Sequence, residues 1–399
     1  MPVGTAVHPR THALCESLNY REWSGYYAVS AYETLHHHEY NAIRNAAALI
    51  DISPLYKYVV SGRDALKLID RIVTRDMRRI AVGQVAYVAW CDERGMVIDD
   101  GTAARLDETT YRITAADPSL RWFRSNALGM EVAVEDVSQQ VAALALQGPT
   151  SARLLARVCG ADLATLRYFR LTRGAIASVP VEITRTGYTG DLGYEIWMPW
   201  DRATQVWDAL IEAGRPFDIR PTGMLALDVA RIEAGYVLIE IDYVSSRRAL
   251  IEDQKSSPYE INMGRLVHLD KGPFVGRAAL AAEHRRPPKR RLVGLEIDWT
   301  DVEALHDAVG LPPQAPVTAS RVAVPVYSSR RQVGKATSTA WSPTLKKMIA
   351  LATVLGGHAA PGTRLMIEMT IEATRHRAGA TVVPLPFFNP PRKTAVPML

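Results

Sequence analysis

Apolar positions along this chain follow two periods. Within residues 64–72, Leu66, Leu68, Ile69 and Ile72 recur at helical spacing, which predicts an amphipathic helix. Helical character also predicts helices over 32–48, 149–158, 201–213 and 223–235, with Pro149 suited to a first helical turn. Residues 56–60, 85–90, 111–115 and 141–146 read as strands. Beyond residue 291 strand patterns dominate, at 292–297, 322–327, 348–354 and 364–368, with turns at Gly356-Gly357 and Pro361-Gly362. The first 30 residues show neither period and read as irregular. The expected fold class is α+β, ending in a small β module. Two prolines among charges at Arg285-Arg286-Pro287-Pro288-Lys289-Arg290-Arg291 mark the expected boundary, between 1–286 and 287–399.

Composition narrows the class. The chain has 399 residues, 48% hydrophobic and 22% charged, an ordinary balance for a globular protein of two or three domains. No apolar run approaches the roughly 20 residues that span a bilayer, and the N-terminus lacks a signal-peptide pattern. Cys15, Cys91 and Cys159 are far apart and odd in number, which argues for reduced thiols, a cytoplasmic location and no disulfide or zinc framework. The net charge of +5 comes without a nucleic-acid-binding motif. It suits an anionic small molecule, and the basic run at 285–291 reads as a solvated linker.

Four segments carry candidate chemistry. Residues 185–195 read R-T-G-Y-T-G-D-L-G-Y-E, a strand, a glycine-rich turn and a strand. The segment presents Tyr188 and Glu195 near the turn. A carboxylate beside an aromatic ring suits a flat heterocycle with adjacent N–H donors, although a decorated hairpin would look the same. In a second segment, Asp99 and Asp100 end a short apolar strand; neighbours on a strand face opposite sides, so one of them at most serves a given pocket. The third, His36-His37-His38, spreads around a helix at about 100° per residue and implies no metal site. The fourth is dense in aromatics: Tyr20, Trp23, Tyr26 and Tyr27 fit either a cage for an onium group or an arm packed on the core.

These segments together resemble the folate-dependent aminomethyltransferases, the glycine-cleavage T-protein superfamily, over about residues 30–390. Residues 185–195 resemble R-T-G-Y-T-G-E-x-G-[YF]-E, departing at Asp191. Met96 to Asp100, after Gly95, resembles G-x-[IV]-[IL]-D-D. Leu146-Gln147-Gly148-Pro149 resembles x-Q-G-P, and Asp228 to Gly235 resembles D-x-x-R-L-E-A-G. The segment 271–280 resembles D-F-[IV]-G-[RK]-E-A-L, and Ser342-Pro343-Thr344-Leu345 with 349–352 resembles S-P-T-L-x-x-x-I-A-L-A. The resemblance implies a three-domain cloverleaf with a C-terminal β-barrel, around an opening that holds tetrahydrofolate. It implies Asp100 as the catalytic aspartate, Glu195 as the carboxylate that reads the pterin, and Tyr87 and Tyr188 as aromatic folate contacts.

The substrate half departs from the T-protein pattern. Asn19 to Ser24 replaces D-F-x-G-W-x-M-P, Leu227 replaces the arginine of A-R-D, and residues are added over 243–255. The expected function is therefore a tetrahydrofolate-dependent methyltransferase or demethylase acting on a small onium or methoxy-aromatic donor. Tyr20, Trp23, Tyr26, Tyr27, Tyr56 and Leu227 are the expected substrate wall. The alternatives are a glycine-cleavage aminomethyltransferase and a non-catalytic folate-binding protein. The departures argue against a lipoyl carrier protein as partner; the expected assembly is a monomer or homodimer, without nucleic acid or membrane. An iron–sulfur-maturation branch with K-G-C-[YF]-x-G-Q-E is disfavoured, because Pro273 stands at its cysteine.

Overall fold

A computed structural model describes residues 1–397. Two sheets and a closed barrel organise the chain. Five antiparallel strands form one sheet, in the order Val85–Cys91, Val97–Arg105, Thr110–Ala115, Tyr56–Ser61, Ala133–Asp136. Its core gathers Ile72, Trp90, Ile113 and Phe123, with the helix Ala65–Ile72 laying its apolar stripe against it. The second sheet runs Leu171–Ile176, Val179–Thr184, Gly193–Pro199, Val141–Gln147, Ala47–Asp51 and Ile219–Pro221. Only its last pair is parallel. Helices Ser151–Val158 and Ala203–Gly214 cover it. The third unit is a six-stranded closed barrel from Arg290–Ile297 to Thr374–Val383, in which the first and last strands pair. The fold is α+β with a C-terminal barrel, as expected.

Two expectations on local structure are corrected. The N-terminal 30 residues are not irregular: helix His8–Leu14 precedes a hairpin of Asn19–Trp23 and Tyr26–Ala31. Ser24 and Gly25 close it with φ of 51° and 86°, the twist that two-residue hairpin turns need. The helix expected over 32–48 shrinks to His37–Asn45, and Ala47–Asp51 becomes a strand. Glu39 accepts the amides of Tyr32 (2.8 Å) and Glu33 (3.3 Å), so the preceding segment folds back onto the helix instead of extending it. Pairing of Ala48 with Gln147 then draws the alanines into the sheet, where tertiary contact outweighs helix propensity.

Candidate functional site

The glycine motif and the Leu146-Gln147-Gly148-Pro149 turn are two halves of one device. Gln147 is fully buried between them and reaches the carbonyls of Thr186 and Tyr194, each at 3.3 Å, while Thr189 donates to it at 2.8 Å. A Cβ at Gly187 would stand 2.1 Å from Gln147 Oε1, and one at Gly193 2.3 Å from its amide carbon. Both glycines are required for the amide to enter. The turn is anchored from behind by buried charge. Asp191 receives the Arg392 guanidinium on both oxygens (2.6 and 2.8 Å) and Arg44 at 3.3 Å. Arg185 donates to the carbonyls of Leu166 and Ala395. Three of the motif's polar groups, Arg185, Thr189 and Asp191, therefore build the turn.

Tyr188 and Glu195 are mostly buried, each with a part left open to solvent. Tyr188 donates to the carbonyl of Val237, and its ring stacks on Tyr236 with centroids 5.6 Å apart. Glu195 Oε2 accepts from Thr186 (2.6 Å) and Thr184 (3.4 Å), while Oε1 has no protein donor among the described residues. Burial raises the Glu195 carboxyl above its usual range, against the threonine hydroxyls and the Arg112 charge, which lower it. An enclosed carboxylate with one free oxygen matches what a donor-bearing heterocycle needs.

The paired aspartates separate as strand geometry requires. In the strand Val97–Arg105, Asp99 lies opposite Trp90 and Asp100 opposite Ala89. Asp99 is fully buried and accepts the amides of Asp100 (2.8 Å), Ala116 (3.1 Å) and Asp117 (3.0 Å). Its role is architectural. Asp100 lies on the other face, where Oδ2 accepts from Tyr87 (2.7 Å) and Oδ1 from Tyr243. Burial raises both carboxyls, and for Asp100 the two tyrosine donors oppose that rise. Tyr243 belongs to no motif of the sequence. It lies in the segment unlike the family pattern, and its neighbour Asp242 pins it there by accepting from Arg231, Thr337 (2.6 Å) and Ser338 (2.6 Å). Tyr168, Tyr236 and Tyr243 thus join Tyr87 and Tyr188 in one aromatic neighbourhood around Asp100 and Glu195. A cleft of about 680 Å³ elsewhere, between Leu66 and Phe274, touches none of them.

The expected substrate residues do not form one cage. Tyr20 and Tyr27 pack edge-on in a surface cluster with His8 and His12. Tyr26 packs on Trp200, and Tyr56 stacks on Tyr58. Trp23 and Leu227 share other surroundings, both packed against an apolar patch that includes Ile50, Ile52, Trp197 and Met224. The hairpin's own pairing spreads the other rings over both of its faces. Beside this patch Asp228 receives three arginines: Arg21 at 3.5 Å, Arg231 at 3.4 Å and Arg321 at 2.6 Å. Among the described residues no cluster of His, Cys, Asp or Glu could hold a metal ion. The cysteines are free and buried. No helix is long and apolar enough to cross a membrane.

Comparison with known proteins places this geometry. Residues 5–271 match the family model of the GCVT N-terminal domain, and residues 290–389 that of the glycine cleavage T-protein C-terminal barrel domain. The chain belongs to the glycine-cleavage T-protein family. Membership makes it an enzyme, a one-carbon transferase. The aminomethyltransferase of Halothermothrix orenii is 33% identical over 88% of this chain and 90% of its own length. The trimethylamine-oxide aldolase of Ruegeria pomeroyi is 35% identical over 97% of this chain. The chain spans 47% of that relative's length. Among solved T-protein structures, the aminomethyltransferase of Bartonella henselae superposes with a TM-score of 0.82 at 22% identity, covering 98% of this chain and 99% of its own; it shares the fold.

Proposed function

We propose that this chain transfers a methyl group from a small methylated donor, an onium compound or a methoxy-aromatic, to N5 of tetrahydrofolate. The observation that carries the folate half is the free Oε1 of Glu195, whose charge acts on Tyr168, with Tyr236 between that residue and Tyr188, which lies near Asp100. When bound, tetrahydrofolate supplies N5 as the nucleophile for the methyl carbon, and the donor heteroatom leaves with the bonding pair. Glu195 accepts two parallel hydrogen bonds from the pterin edge, and Tyr87 and Tyr188 pack on its rings. Asp100 orients the reduced ring and stands as the acceptor for the proton that N5 sheds. The surrounding tyrosines keep water from the reacting atoms. Holding two reactants at attack distance is worth about 7–11 kcal/mol, so positioning supplies most of the rate. An onium methyl is already activated; an aryl ether needs charge stabilisation at its leaving oxygen. Trp23 and Leu227, on one apolar patch where the T-protein pattern has an arginine, support a small apolar-bodied donor. The site of transfer lies in residues 1–286 on this reading, with 287–399 closing it.

A second reading is aminomethyl transfer to give methylenetetrahydrofolate. It is favoured by the aminomethyltransferases matched along 90% of their length. One experiment separates the two. The protein is incubated with tetrahydrofolate and betaines, sulfonium compounds, methoxybenzoates or an aminomethylated carrier, and the folate product is identified by mass. 5-Methyltetrahydrofolate from a small donor supports methyl transfer; methylenetetrahydrofolate from the carrier alone overturns it. Tight folate binding with no product from any of these donors would overturn both donor classes and leave the one-carbon donor to be sought elsewhere.

A further inference from the structure

Glu182, Thr184, Glu195 and Trp197 share one face of the second sheet. Register sets Glu182 opposite Trp197 and Thr184 opposite Glu195, while Ile183 and Ile196 turn to the other face and its core. Arg112, from the five-stranded sheet, reaches the same face. Its guanidinium lies 4.2 Å from the centroid of the Trp197 ring and donates to Glu182. Beside it four polar groups stand in series. The Trp197 indole N–H donates to Thr184 Oγ1 (3.1 Å), the Thr184 and Thr186 hydroxyls lie 2.8 Å apart, and Thr186 donates to Glu195 Oε2 (2.6 Å). Trp197, Thr184 and Thr186 are buried, so water does not compete for these groups.

The series has a direction. An indole N–H can only donate, whereas a hydroxyl donates one proton and accepts others. With Trp197 donating at one end, the Thr184 proton goes to Thr186 and the Thr186 proton to Glu195. A proton on Oε2 would reverse the last two steps. Thr184 would then face two donors, and its own proton would be left with the Glu195 oxygens, each 3.4 Å away. We propose that Trp197 is a positioning residue: its N–H sets the direction of the series, which holds Oε2 of Glu195 as the accepting end and leaves Oε1 to the heterocycle. Burial favours the neutral acid at Glu195, and the threonine hydroxyls and the Arg112 charge work against it. The Trp197 ring also belongs to the apolar patch on which Trp23 and Leu227 pack. One side chain therefore borders both the patch assigned to the donor and the carboxylate assigned to the acceptor. The proposal rests on the folate reading above for the identity of the heterocycle; the hydrogen-bond series belongs to the unliganded protein.

Two conservative variants test it. Trp197→Phe keeps a ring beneath Arg112 and in the patch but removes the N–H. Thr184→Val keeps a β-branched side chain and cuts the series in the middle. The Glu195 carboxyl is titrated by ¹³C NMR without folate, its signal assigned by loss in Glu195→Gln. Thr184→Val is expected to raise the midpoint by about 0.5–1 pH unit, the scale of one lost hydrogen bond. Trp197→Phe should raise it by less, and the double variant no further than Thr184→Val alone. Tetrahydrofolate affinity should follow: close to the wild type's well above the midpoints, and in Thr184→Val about three- to tenfold weaker below them. A wild-type midpoint in Trp197→Phe overturns the proposal. So does a loss of affinity equal at every pH, which is the mark of packing alone, or a double variant that shifts by the sum of the two. If the midpoints move as expected and the wild type binds no tetrahydrofolate, the folate reading falls and the role of Trp197 stands.

Discussion

The Tyr243 hydroxyl donates to Oδ1 of Asp100, across 143 residues of sequence. The contact brings the segment least like the family pattern onto the aspartate that the family motif marks. A hydrogen bond to the ionised form lowers a carboxyl pKa, and burial raises it. Tyr243→Phe removes the first effect and leaves the second, so Asp100 titrates at a higher pH. If the ionised carboxylate is required, the acid limb of kcat/KM moves to higher pH in this variant. The alkaline limb should stay in place. A pH–rate profile on the two proteins checks both statements.

Asp100→Asn keeps the shape of the side chain and removes its charge. Turnover is expected to fall by about 10²–10⁴, the usual range for a proton-handling group. Folate affinity should change far less, because Glu195 and the stacked rings are intact. Single-turnover rates and equilibrium binding separate the two effects; unchanged turnover would take Asp100 out of the mechanism.

Glu195→Gln tests the other carboxylate. Replacing the acceptor of two parallel hydrogen bonds with an amide is expected to weaken folate binding by about 10²-fold, from roughly 1.5–3 kcal/mol for a bond to a charged group. At saturating folate the turnover should approach that of the wild type. Because burial raises this carboxyl, wild-type folate affinity should also fall with decreasing pH earlier than for an ordinary glutamate. The pH dependence of Kd measures this directly.

Asp191 is predicted to matter for stability and not for chemistry. Asp191→Ala leaves Arg44 buried without one of its partners and frees Arg392. Breaking a buried pair from one side costs about 3–5 kcal/mol. Urea unfolding at pH 7 should show that loss, and the variant that does fold should keep its folate selectivity.

Gly187→Ala drives a methyl group into Gln147. Overpacking of this kind costs about 1–3 kcal/mol. In a double-mutant cycle with Gln147→Ala, the clash disappears along with the amide. The two changes are expected to be strongly non-additive, with the alanine at 187 tolerated far better once Gln147 is gone.

Much of this architecture was legible in the chain because its signals are local. The helix Ala65–Ile72 and the barrel strands declare themselves by spacing, and the antiparallel strands around Asp99 and Asp100 fix which carboxylate turns inward. The three glycines of 185–195 announced a turn, but only the fold shows that two of them make room for Gln147. The hairpin Asn19–Ala31 carries no clear period, because its first strand mixes polar and aromatic residues and its second runs apolar without alternation. Its dispersed rings also show why composition misleads: Tyr26 and Tyr27 are adjacent in sequence and point into different surroundings. Tyr243 and Tyr168 carry no signal of their own, since their place is set by distant pairings, as between Asp242 and Thr337 or between Tyr168 and Tyr236.

The helix Met224–Glu233 carries a charged residue toward each neighbour. Asp228 meets Arg21 and Arg321, Arg231 reaches Asp242 and Ser338, and Glu233 takes Tyr40, Arg44 and Ser342. These contacts fasten the N-terminal hairpin, the helix His37–Asn45 and the barrel to a single axle. Swinging the lobes apart would strip several buried ions of their partners at once. The hairpin, the helix and the barrel are therefore held as one body around this axle.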